Sequence, residues 1–104
     1  MAFADNLSTL PSIDHLSALE LIDSDGNIVA SIENKPGKAG SLRVYHALTA
    51  RHGQINGAAA REGIALFGEH VDDAKANPGK HPNIDRLLQI LDSGIGLTVR
   101  LIHA

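Results

Sequence analysis

At 104 residues the chain has room for one domain spanning 1–104, and a domain of that length buries roughly 60–70% of the surface its unfolded form exposes. Hydrophobic residues at 43% and charged residues at 20% are the balance of a folding globular sequence and exclude disorder. The lack of cysteine rules out disulfides and thiolate zinc sites, while a net charge of −3 with only Phe3, Tyr45 and Phe67 as aromatics argues against nucleic acid as a partner.

The first ten residues lack the basic start and apolar run of a signal peptide, and no later run is long enough to span a bilayer. The expectation is a cytoplasmic protein with no membrane partner. The segment Pro11-Ser12-Ile13-Asp14-His15-Leu16 carries helix-start chemistry and predicts a single turn. Residues Leu19 to Asp23 and Ile28 to Glu33 then flank Ser24-Asp25-Gly26-Asn27. Asp-Gly suits a two-residue hairpin loop with positive φ at both positions. That loop sets a register pairing Leu21 with Ala30 and Leu19 with Ile32 on the core face, and Ile22 with Val29 and Glu20 with Ser31 on the other.

The run Asn34-Lys35-Pro36-Gly37-Lys38-Ala39-Gly40 is a loop by its proline and glycines, and Ser41 is placed to cap a helix running to His52, with Gly53 as its left-handed stop. Residues Ala58 to Ala76 read as one amphipathic helix with Ala60, Ile64, Phe67, Val71 and Ala74 on its apolar stripe. Gly63 and Gly68 interrupt it and predict close packing of another element, or of another subunit near Leu66. After Asn77-Pro78-Gly79-Lys80-His81-Pro82, a last helix carries Ile84, Leu87, Leu88 and Leu91, and Leu97 to Ile102 alternate as a strand. The fold class is therefore α+β in the order α-β-β-α-α-α-β. The hairpin and the C-terminal strand form a three-stranded sheet covered by three helices.

Two loops bring glycine and lysine to the start of a helix, Lys35-Pro36-Gly37-Lys38 and Asn77-Pro78-Gly79-Lys80. Neither is a phosphate-binding P-loop, and proline and glycine punctuate ordinary connectors. If both lie on one side of the sheet, Lys35, Lys38, Arg43, Lys80, His81 and Arg86 form an anion-binding pocket, because helix N-termini offer free N–H groups and the positive end of a dipole. Six histidines, at 15, 46, 52, 70, 81 and 103, invite a metal reading, but none of their spacings is that of a zinc motif and no metal or cofactor is expected. His70, with Asp73 at i+3, is an acid–base candidate, as is His46. The ordinary alternative for His70 is a hydrogen-bonded residue at the core boundary.

The runs from Asn34 to His46 and from Asn77 to Asp85 resemble those of a small family of uncharacterised bacterial proteins of about this length, over essentially the whole chain. That resemblance implies no activity and transfers no site residues. The leading expectation is a non-catalytic binding or regulatory domain that forms a homodimer, the outer sheet face with Ile22, Val29 and Ile102 serving as a contact. Its rival is a small-anion site, binding or catalytic, built on the two Pro-Gly-Lys loops and a nearby histidine.

Overall fold

The structure, a computed structural model, describes residues 2–104. Its elements are α1 (Phe3–Leu7), β1 (Leu16–Ile22), β2 (Ile28–Glu33), α2 (Ala39–His52), α3 (Gly57–Phe67), α4 (His70–Ala76), α5 (Pro82–Ser93) and β3 (Thr98–His103). The sheet has the order β2-β1-β3 with both pairings antiparallel, so the expected α+β fold and its three-stranded sheet hold. Among the described residues no helix is long and apolar enough to cross a membrane.

Strand β1 occupies the centre because its Leu19 and Leu21 side chains stand on one face, where Ile32 of β2 and Leu101 and Val99 of β3 pair beside them. Helix α2 lies against that face, with α3 packed on α2 and α5 packed on α3. Leu42, Tyr45 and Leu48 of α2, Phe67 of α3, and Ile84, Leu87 and Ile90 of α5 complete the core. The uncovered face carries Ile22 opposite Ile28 and Thr98, and Glu20 opposite Ser31 and Arg100, with the Arg100 guanidinium donating to the Glu20 carboxylate.

The hairpin turn differs from the expected two-residue loop. Asp23 C=O accepts from the Gly26 N–H, Asp23 N–H donates to the Asn27 carbonyl, and only Gly26 has positive φ, at 85°. The Asp23 carboxylate also accepts from the Asp25 and Asn27 N–H groups, both at 2.9 Å, and those bonds, Asn27's foremost, hold its carboxyl below the usual range. With the backbone satisfied in this way, Asp25 avoids the cost of a left-handed conformation. The extra loop residue shifts the register, so Ile22 pairs with Ile28 and not with Val29, while the Leu21–Ala30, Leu19–Ile32 and Glu20–Ser31 pairs stand as expected. Val29 becomes the extra residue of a bulge and lines a hollow of about 510 Å³ beside α5.

Two boundaries and one buried stripe also differ. The helix from Ala39 starts two residues before Ser41, because Lys38 and Ala39 both donate to the Lys35 carbonyl and the Pro36-Gly37 turn runs straight into it. The segment 58–76 is divided at Gly68, whose φ of 60° and ψ of −126° suit glycine alone. The apolar stripe continues across the break, since Phe67, Val71 and Ala74 are all buried. In α5 the buried stripe is Ile84, Leu87 and Ile90, with Leu91 exposed. Leu66 of α3 is partly buried against the core.

Gly63 makes the close approach its position implied. A Cβ there would stand 2.7 Å from Leu87 Cδ1 and 2.9 Å from Leu48 Cδ1. Gly96 is tighter against backbone, where a Cβ would stand 2.7 Å from the Ile55 carbonyl oxygen. That carbonyl accepts from Leu97 N–H while Ile55 N–H donates back, a bridge that ties the start of α3 to the approach of β3. Gly96→Ala is therefore expected to lose about 1–3 kcal/mol of unfolding free energy in urea titrations. Gly57→Ala, with open space around the new methyl, should be neutral or stabilising by up to about 1 kcal/mol.

Candidate functional site

The two Pro-Gly-Lys loops meet. A cavity of about 640 Å³ is lined by Gly37 and Lys38 of the first loop, Lys80 and His81 of the second, Arg86 of α5 and His70 of α4. Each loop turns through a left-handed glycine, Gly37 at φ 84° and Gly79 at φ 92°, and delivers the chain into a helix. The N-termini of α2 and α5 therefore open on the same space. Among the described residues the backbone N–H groups of Gly40, Ser41 and Asn83 find no acceptor, and all three residues line the cavity. Such first-turn donors carry the positive end of the helix dipole.

Three cations reach this space with different partners. Lys38 Nζ lies 3.7 Å from Glu33, and Lys80 Nζ lies 3.1 Å from Asp73. Arg86 makes no ion pair among the described residues. Its Nη1 donates to Asn83 Oδ1 at 2.9 Å and to the Tyr45 hydroxyl at 3.2 Å, both neutral acceptors, and the guanidinium carbon sits 5.7 Å from the Tyr45 ring centroid. Tyr45 is fully buried and donates to the Asn83 carbonyl at 2.6 Å. Burial pushes its phenol up to about 12, against the opposing pull of Arg86, so it remains a neutral donor.

The expected His70–Asp73 pair is not formed. Asp73 Oδ2 instead meets His81 Nε2 at 2.6 Å, and Asp73 Oδ1 accepts from Asn77 Nδ2 at 2.9 Å. The loop from Asn77 to Lys80 doubles back over the end of α4, which brings His81 nearer to Asp73 than the residue one turn before it. His70 lies edge-on to the Phe3 ring at 5.0 Å and 5.8 Å from the His81 ring.

Other expected residues stand elsewhere. Lys35 pairs with Glu33 at 2.9 Å, outside the cavity lining. The Arg43 guanidinium donates to the Leu10 and Pro11 carbonyls, fixing the chain before β1. His46 packs against His15 at 5.4 Å, and His15 against His103 at 5.8 Å, beside the start of β1 and outside the cavity lining. Burial first and the His15 ring second hold the His46 imidazolium below its ordinary range, and its Nδ1 is buried without a partner among the described residues. Among the described residues no three His, Asp or Glu side chains are placed to hold a metal ion.

Sequence reasoning missed the aromatic wall of the cavity, Phe3 and Phe67, whose rings stack at 5.4 Å. The available signal was composition, since a chain with three aromatic residues that sets two of them together is concentrating them.

The hydrogen bond from His81, then that from Lys80, depress the Asp73 carboxyl to about 2 from an ordinary 3.8. Because the folded value is the lower one, this contact stabilises the fold fully above about pH 4, and the stabilisation is lost as pH falls toward 2. A carboxyl-carbon NMR titration should place the Asp73 midpoint near 2, and His81→Ala should move it upward toward the ordinary value.

No curated protein and no solved structure matches this chain. One family profile does, over residues 3–101. The chain therefore belongs to the family described as uncharacterised protein conserved in bacteria, DUF2322.

Proposed function

We propose that this protein is a binding domain for a small oxyanion, a phosphate or carboxylate held in the cavity between the N-termini of α2 and α5. The observation that carries this reading is Arg86, a half-buried guanidinium whose partners among the described residues are all neutral, beside a cavity of about 640 Å³ whose lining includes Gly40, Ser41 and Asn83, three residues with unpaired N–H donors among the described residues. A cation taken partly out of water keeps a strong preference for an anion, and a planar guanidinium engages two oxygens at once. Lys38 and Lys80 add positive charge at the rim, moderated by Glu33 and Asp73. Free donors at two helix N-termini suit an oxyanion better than a neutral ligand.

Isothermal titration calorimetry with inorganic phosphate at low ionic strength tests this. Millimolar or tighter binding that weakens with added salt is expected. Arg86→Ala should reduce the affinity about 10–100-fold, the worth of hydrogen bonds to a charged group, and Arg86→Lys should restore part of it. Absence of phosphate and acetate binding by the folded wild-type protein would overturn the proposal.

Self-association through the uncovered sheet face is a second reading, favoured by Ile28, half exposed beside Ile22. It predicts a dimer mass by light scattering, lowered by Ile28→Lys, and a monomer mass across a concentration series would remove it.

A further inference from the structure

The cavity is far larger than the anion its cations would hold. At about 640 Å³ it has the space of roughly twenty waters of liquid and falls among cavities that enclose whole organic ligands. An inorganic phosphate has five heavy atoms. Part of its wall is apolar, made by Phe3, Phe67, Ile32 and Ile84.

Four rings in this wall form a continuous row. Phe67 stacks on Phe3 at 5.4 Å with the planes 10° apart, Phe3 meets the edge of His70 at 5.0 Å, and His70 lies 5.8 Å from His81. The row begins in the core, where Phe67 is buried, and ends at the histidine beside Lys80 and its carboxylate partner. Phe3 is held in it from two sides. Its N–H donates to Glu69 at 2.9 Å, and a Cβ on Gly40 would stand 3.2 Å from the tip of its ring, so the first turn of α2 packs closely against it. Aromatic faces recognise flat ligands by stacking, and charged groups at one end of such a wall orient an amphiphilic molecule lengthwise.

We infer that the ligand is an organic phosphate carrying a flat, ring-bearing body, its phosphate at Arg86 and the N-termini of α2 and α5 and its ring against Phe3. This rests on the oxyanion reading above and extends it to a ligand class.

Calorimetric titration of the whole chain with inorganic phosphate and with phenyl phosphate distinguishes the two. Phenyl phosphate should bind at least about tenfold tighter than inorganic phosphate, the worth of one stacked and buried ring. Phe3→Leu, which keeps apolar bulk but removes the ring, should erase most of that difference and leave inorganic phosphate affinity unchanged. Equal affinity for the two ligands in the wild type, or an advantage that survives Phe3→Leu, would overturn the ligand class while leaving the oxyanion site intact. Failure of both ligands to bind would instead overturn the oxyanion reading, and this inference with it.

Discussion

The hydroxyl of Tyr45 has to find partners inside the core, because a buried hydroxyl left unpaired costs about 1–3 kcal/mol. It finds them on α5. Its proton goes to the Asn83 carbonyl at 2.6 Å, and its oxygen accepts from Arg86 at 3.2 Å. That junction fixes the first turn of α5 against α2, and with it the relative position of the two loops that precede these helices. Arg86 is carried into the junction as a neutral hydroxyl's donor and not as a carboxylate's partner. Helix α3, which packs against both α2 and α5, holds the two helix ends in the same arrangement.

Around the junction, charge is arranged in graded fashion. The two lysines at the rim are exposed and already near carboxylates, and surface pairs of that kind contribute little to stability. Arg86 is more enclosed and has no such neighbour. Asp73 takes part through His81 and Lys80 together, so the side of the cavity nearest α4 is a hydrogen-bonded chain and not a free anion. The histidine cluster beside the start of β1, His15 with His46 and His103, lines no part of this cavity.

How far the residues disclosed this depended on range. The hairpin register near Leu19 and Leu21, the left-handed Gly53 and the three-stranded sheet are set by local patterning and were legible. The break at Gly68 was not, because the apolar stripe runs in phase from Phe67 to Val71 and periodicity alone cannot register a change of axis. The bulge at Val29 was hidden by a turn motif that admits more than one loop length. At the site, the lysines, His81 and Arg86 could be named from two repeated loop signatures, but their convergence rests on the Tyr45 link to α5 and on α3, which packs against both α2 and α5. The choice of His81 over His70 as the partner of Asp73 depends on a loop folding back. Phe3 reaches Phe67 across most of the chain, a contact no local pattern encodes.

The central claim is that an oxyanion sits where the two helix ends meet. Amide chemical-shift mapping during a phosphate titration tests it most directly, because the free donors there are backbone N–H groups. The account predicts saturable shifts concentrated at Gly40, Ser41 and Asn83, together with the Arg86 side chain, and little change around His15, His46 and His103. Shifts spread evenly over surface lysines, or centred on the histidine cluster, would contradict it.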